Sequence, residues 1–226
     1  RIVGAYVKEP QVGQHKWVMS FDLNSLYPHL IMQYNMSPDT YQRKIFNQDI
    51  SVKKLLEGEV DTSMLTNTTV TPNGALFRTD KQGFLPELLE EMYDQRVLFK
   101  NKMIEKQKEL ETIDKNDLIK RKECEYAIVK YHNNQMVRKI SLNSCYGALG
   151  NQYFRYFNRE IAEGITTSGQ LSIKWVERAV NKFLNKLLET DKDYVVAIDT
   201  DSIYVTFEDL VDRVSPKNPV DFLDTI

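Results

Sequence analysis

Two long stretches of helical periodicity, Pro86 to about Thr112 and Asp117 to about Cys145, stand only a few polar residues apart, and this spacing constrains the fold most. A link that short lets the second helix do little but run back along the first, so the pair is expected to form an antiparallel helical hairpin. Glu and Lys crowd the linked ends of both segments, which puts that tip in water. The rest of the chain must supply the body on which such an arm stands. Trp17 to Phe21 is a short apolar strand ending at Asp22, and Ser25 to Gln33 reads as a helix that tolerates Pro28 only in its first turn. Asn73-Gly74 followed by Ala75 to Arg78, and then Thr79 to Gly83, read as a strand and turn. A third helix, from about Ile161 to Leu188, carries Leu171, Trp175, Val176, Ala179, Phe183, Leu184 and Leu187 at helical spacing. Tyr194 to Ile198 and Ser202 to Phe207 then flank Asp199-Thr200-Asp201, as in a β-hairpin with carboxylates at its tip. Residues 47–70 are polar and mixed and show no pattern, and no internal repeat is present. The expected architecture is α+β: a small sheet backed by helices, with a helical arm projecting from it.

Composition narrows the class. No run of about 18 apolar residues exists, which argues against a membrane-spanning helix, and no charged-then-apolar leader is visible. Two cysteines, Cys124 and Cys145, are too few for a disulfide framework or a zinc site, so a reducing, cytoplasmic setting is expected. Thirty basic against 32 acidic residues leave a net charge of −2, which excludes a uniformly basic surface but not an asymmetric one. Beginning at Arg1 and stopping where an apolar stripe starts in 221–226, the sequence is expected to be a piece of a longer chain.

The chemistry-bearing residues lie at the element ends. Asp22 closes one strand, and Asp199 and Asp201 cap the late hairpin. In one sheet they can converge, and clustered carboxylates repel one another until a hard cation such as Mg²⁺ relieves the repulsion. The competing reading is plain turn chemistry, since Asp favours tight turns. Immediately after Asp22, the helix start at Ser25 puts free backbone N–H groups beside that acid, an arrangement suited to phosphate, and Tyr27 is close enough to wall the same pocket. Arg96 and Lys100 share one face of the first long helix, and Lys139, Asn143 and Tyr146 share one face of the second. These stripes either are simply solvated or face the acids, where cations and metal together would neutralise a triphosphate. Gly147 is where the second helix is expected to end or bend. Gly150, Tyr153, Phe154, Arg155, Tyr156 and Phe157 form an aromatic and basic patch that could stack on bases or pack in the core.

These residues carry a resemblance. Asp22-Leu23-Asn24-Ser25-Leu26-Tyr27-Pro28 resembles motif A of family B DNA polymerases, Lys139-Ile140-Ser141-Leu142-Asn143-Ser144-Cys145-Tyr146-Gly147 resembles motif B, and Asp199-Thr200-Asp201-Ser202 resembles motif C, in the family's order. Val7-Lys8-Glu9-Pro10, Tyr146-Gly147-Ala148-Leu149-Gly150-Asn151 and Phe154-Arg155-Tyr156 are most similar to the T-even-type bacteriophage members, and the resemblance is weakest over residues 41–70. It implies the palm of a right-hand polymerase, a small antiparallel sheet backed by helices, in residues 1–85 and 148–226, and a helical-hairpin fingers arm in 86–147. It also implies DNA-templated nucleotidyl transfer from a deoxynucleoside triphosphate to a primer 3′-hydroxyl with two Mg²⁺ ions, Mn²⁺ being able to substitute.

By the same resemblance Asp22, Asp201 and the carbonyl of Leu23 would be metal ligands, and Asp199 a neighbouring acid of lesser role. Amides of Ser25, Leu26 and Tyr27 would hold phosphates, and the Tyr27 ring would exclude a ribose 2′-hydroxyl. Arg96, Lys139 and Lys100 would bind the triphosphate, Asn143 would line the nucleotide pocket, and Tyr146 and Gly147 would border the nascent base pair and template. Implied partners are primer–template DNA, deoxynucleotides, exonuclease, amino-terminal and thumb portions that this sequence lacks, and a sliding clamp bound through such absent regions. No membrane partner is implied, and a phage-encoded chain would work in the host cytoplasm. Ile198 departs from the pattern, standing where the family usually has glycine. Two other functions compete: a metal-dependent nucleotide-sugar transferase of the D-x-D type, and a non-catalytic polymerase-like module that binds nucleic acid.

Overall fold

A computed structural model describes residues 2–45, 50–63 and 65–225; residues 1, 46–49, 64 and 226, and with them part of the patternless 47–70 stretch, lie outside the described residues. Among the described residues, seven strands and seven helices follow in the order β1 (Val7–Lys8), β2 (Val18–Asp22), α1 (Leu26–Tyr34), β3 (Tyr41–Lys44), α2 (Val52–Glu57), β4 (Thr68–Val70), β5 (Ala75–Arg78), α3 (Phe84–Thr112), α4 (Leu118–Leu149), α5 (Arg159–Leu188), β6 (Val195–Asp199), β7 (Ser202–Thr206), α6 (Glu208–Val214) and α7 (Pro219–Leu223). They form an antiparallel sheet in the order β1-β6-β7-β2 and a smaller antiparallel one in the order β3-β5-β4.

The expected hairpin is present. Cys124 Sγ donates to the Lys106 carbonyl at 3.1 Å, Phe99 stacks near Tyr131, and Arg138 Nε donates to Gln95 Oε1 at 2.8 Å. Partner numbers that fall on one helix as they rise on the other define an antiparallel pair. Both cysteines are free thiols. Asp117 caps α4 by accepting from the Lys120 N–H. The far end of α4 departs from expectation: the helix continues through Gly147 and stops at Leu149, with Gly150 as its cap. A single helical glycine costs only about 1 kcal/mol, which packing at that end offsets, Leu149 being fully buried.

The start of the arm is anchored by side chains that follow α1: Ser37 Oγ and Asp39 Oδ1 accept from the Leu85 and Phe84 N–H groups, both at 3.4 Å, and Asn35 makes the shortest bonds. Asn35, in the left-handed conformation after α1, donates from Nδ2 to the carbonyls of Arg78 (2.7 Å) and Lys81 (2.8 Å), and its Oδ1 accepts from Gly83 N–H (2.8 Å). Those bonds fix the start of α3 against α1. A Cβ on Gly83 would lie 2.6 Å from Ser37 Cβ, so only glycine lets the two elements meet this closely.

Two apolar clusters divide the interior. One joins Leu26, Leu30 and Ile31 of α1, Phe77 of β5, Leu85 and Leu89 of α3, Leu142 and Leu149 of α4, and Ile161 and Ile165 of α5. The other joins Ile173, Leu184 and Leu188 of α5 to Val195, Ile198, Ile203 and Val205 of the larger sheet. Helix α5 belongs to both, and residues 161–169 are buried on every face. The departure at Ile198 is absorbed here: its side chain is buried, and Asp199 still pairs with Ser202 across the hairpin. Within 47–70, α2 and β4 emerge. Ser51 and Gly58 cap the short α2, whereas β4 exists only through its pairing with β5. The strand β1 and the helices α6 and α7 are likewise additions to the expected elements. Among the described residues, no helix is long and apolar enough to cross a membrane.

Candidate functional site

Strand β7 lies between β6 and β2, and this order makes the site. The carboxyl end of β2 falls beside the β6–β7 turn, with Asp22 opposite Ser202. Ser202 Oγ donates to Asp22 Oδ1 at 3.1 Å, and Leu23 N–H donates to the Asp201 carbonyl at 2.8 Å. The turn is tight, with Thr200 at φ 57°. Its amide is held by the Tyr6 carbonyl at 3.0 Å and its hydroxyl donates to Asp199 Oδ1 at 3.1 Å. Partial burial pushes the Asp201 carboxyl above its ordinary range, and the charges of Asp22 and then Asp199 add to the rise. Three acids from opposite ends of the chain therefore share one field.

Above them opens a cleft of about 360 Å³ lined by Asp22, Ser25, Tyr27, Arg96, Lys139 and Asp201, with Asn143 also on its wall. Ser25, at φ 53°, starts α1 without capping it; its hydroxyl instead accepts from Arg96 Nη1 at 3.2 Å. Pro28 has no N–H, so the uncapped first turn offers the amides of Ser25, Leu26 and Tyr27. Arg96 Nε is buried without a partner, a donor that an anion in the cleft would satisfy. The Tyr27 ring sits 4.8 Å from the Tyr146 ring, centroid to centroid. Burial pushes its hydroxyl up to about 12, with Tyr146 and Asp201 adding to the shift, so it stays protonated.

The expected residues are not all brought together. Asp199 is exposed and outside the cleft lining, as is Lys100, one turn beyond Arg96 on α3. Tyr146 meets Tyr27 rather than the cleft itself, and Gly147 has nothing within 4 Å of where a Cβ would stand. Tyr153, Phe154, Tyr156 and Phe157 are exposed, so the aromatic patch is a surface and not a core cluster. Thr200, Asn24 and the Ser202 hydroxyl join the site; all three lie inside the motif A and motif C stretches, which by themselves give them no separate role. Gly169, behind Tyr27, is a further addition; its signal is the run of small residues Thr166-Thr167-Ser168-Gly169 inside a long apolar helix.

Among the described residues, no three His, Cys, Asp or Glu side chains form a self-sufficient metal cluster. Two oxygen donors, Asp22 and Asp201, beside an orphaned cationic donor fit a different arrangement, in which a hard cation is shared between carboxylates and the phosphates of a bound anion. By its form, the cleft suits a nucleotide polyphosphate carried with its cation.

Comparison with known proteins gives the lineage. The model of DNA polymerase family B matches residues 2–213. The DNA-directed DNA polymerase of Enterobacteria phage T4 is 33% identical over 93% of this chain and 27% of its own length. That of Escherichia phage RB69 is 33% identical over 98% and 29%. The solved family B DNA polymerase of Pyrobaculum calidifontis superposes with a TM-score of 0.56 at 26% identity, covering 94% of this chain and 23% of that one. The chain belongs to DNA polymerase family B, and it spans less than a third of the length of these relatives. Nothing in these comparisons favours a sugar-nucleotide transferase or a merely binding module.

Proposed function

We propose that this chain carries the palm, in residues 1–85 and 148–226, and the fingers, in 86–147, of a DNA-templated DNA polymerase. The observation that carries the reading is Asp22, at the end of β2, and Asp201, in the neighbouring β6–β7 turn, lining one cleft together with Arg96 and Lys139. Asp22, Asp201 and the Leu23 carbonyl would hold two Mg²⁺ ions, which when bound make the primer 3′-hydroxyl a better nucleophile and neutralise charge on the leaving pyrophosphate. The protein groups do the positioning. The amides of Ser25 to Tyr27 bind phosphate oxygens, and Arg96 reaches the same oxygens from α3 while its Nη1 stays tied to Ser25. Lys139 completes the cationic wall, with Lys100 one turn out to receive the triphosphate as it enters. Asn143 lines the nucleotide pocket, and Tyr146 and Gly147 border the base pair and template. Asp199 acts through its charge on Asp201.

The test is a Mn²⁺ titration of the chain followed by electron paramagnetic resonance, with dATP or with UDP-glucose present. Tight Mn²⁺ binding that requires dATP supports the reading. Equal binding with UDP-glucose, or binding indifferent to both, sinks it.

Tyr27 would discriminate sugars, its ring filling the space of a 2′-hydroxyl. Tyr27→Ala is expected to raise the relative affinity for ATP over dATP by about tenfold, the scale of one steric contact in a pocket. An unchanged ratio removes Tyr27 from that role.

A further inference from the structure

The tyrosine at the cleft is shaped from behind. Gly169 lies in the fully buried first half of α5, directly against the Tyr27 ring. A Cβ built on Gly169 would stand 3.0 Å from Tyr27 Cε1, 3.7 Å from its Cδ1 and 3.6 Å from Leu26 Cδ2. The Leu26 contact is ordinary; the Cε1 contact is too close, so the ring edge would have to yield by a few tenths of an ångström. Helix α5 cannot recede, because Ile161 and Ile165 lock it into one apolar cluster and Ile173 into the other. The ring also packs against the first apolar cluster and has the Tyr146 ring at 4.8 Å, whereas the cleft beside it is open, so the cleft is where a displaced ring finds room.

We infer that Gly169 is a positioning residue for Tyr27: by lacking a side chain it sets how deep the ring sits, and hence how much room the cleft leaves for the sugar. This rests on the proposed role of Tyr27 at the nucleotide site. It explains why a long buried helix carries glycine where alanine would form helix better. It also divides the work between elements: α1 supplies the gating side chain, and α5, which contributes no atom to the cleft lining, sets its reach.

A double-mutant cycle on the 226-residue chain tests this, using calorimetric dissociation constants for dATP and ATP in Mg²⁺. Gly169→Ala is expected to weaken dATP at least about fivefold when Tyr27 is present, and less than about twofold in the Tyr27→Ala background, where no ring remains to displace. Loss of the same size in both backgrounds, or no loss in either, overturns the inference. A second readout needs no nucleotide. In chain labelled with 3-fluorotyrosine, the ¹⁹F resonance of Tyr27, assigned by its disappearance in Tyr27→Phe, should move in Gly169→Ala; an unmoved resonance counts against the contact. If Gly169→Ala alone melts early, recovery in the double variant supports the clash with the ring, and absence of recovery refutes it. Failure of the gate reading looks different: Tyr27→Ala would leave the ratio of dATP to ATP unchanged while the cycle and the resonance still report on Gly169.

Discussion

Asp201→Asn and Asp22→Asn are each expected to abolish deoxynucleotide-dependent Mn²⁺ binding by the chain, and to cut primer extension about a thousandfold or more in a polymerase that contains it. The magnitude follows from the scale of electrostatic stabilisation: one well-placed donor in an active site is worth roughly 10²–10³ in rate, and here a proposed metal ligand is lost. The charge field adds a second, opposite expectation. Burial and the neighbouring Asp22 and Asp199 raise the Asp201 pKa in the folded chain. A carboxyl whose folded pKa lies above its unfolded value opposes folding as pH rises through that interval, because the folded state then holds the extra proton. Asp201→Asn should therefore melt no lower than the parent without metal at neutral pH, and the parent should overtake it only when Mn²⁺ and dATP are added. Metal binding by the parent should weaken as acid protonates Asp201. Melting curves with and without metal across pH check all three. A variant that unfolds without metal would assign Asp201 a structural role, and near-normal extension would end the metal assignment.

The second large effect is expected at Lys139. It is exposed on α4 and lines the same cleft as the acids. Lys139→Ala should lower the efficiency of deoxynucleotide incorporation by roughly 10²-fold, as for loss of one charge-stabilising group. Binding of primer–template should stay within about twofold, since the proposed role places Lys139 on the triphosphate and not on the DNA phosphates, each of which would contribute several-fold. Single-turnover rates against nucleotide concentration, beside a DNA titration, separate the two. If the loss falls on DNA affinity, Lys139 is a DNA contact. Arg96 is the useful comparison. Its Nε is buried and its Nη1 is bonded to Ser25, so Arg96→Ala should disturb the start of α1 as well as the anion site.

Much of this arrangement is legible in the order of the residues. Four helices and the acidic hairpin can be read there because each is encoded by local periodicity, which neighbouring residues settle among themselves. The strand ending in Asp22 and the charged faces of α3 and α4 are legible for the same reason, and three motifs in family order name the lineage. Other features escape such a reading. The strands β1, β3 and β4 are two to four residues long; β1 and β3 exist only through partners remote in the chain, and β4 only as the short arm of a hairpin with β5. Helix α4 runs past Gly147 because packing at Leu149 outweighs one glycine. Lys100 has the same spacing signal as Arg96, yet it stands one turn too far out to line the cleft. Helical spacing reports which residues share a face, not how far along that face the partner lies.

The sequence by itself thus determined the local elements, the acid and cation chemistry and the family, since these depend on residue type and on neighbours a few positions away. Only the tertiary structure decided that β7 sits between β6 and β2, bringing Asp22 beside Asp201. It likewise decided that Asn35 fixes the arm at the distance where Arg96 meets Ser25, and that a glycine on α5 lies against Tyr27. Those outcomes turn on strand order and on gaps of a few ångströms between elements remote in sequence, which packing sets and residue spacing does not encode.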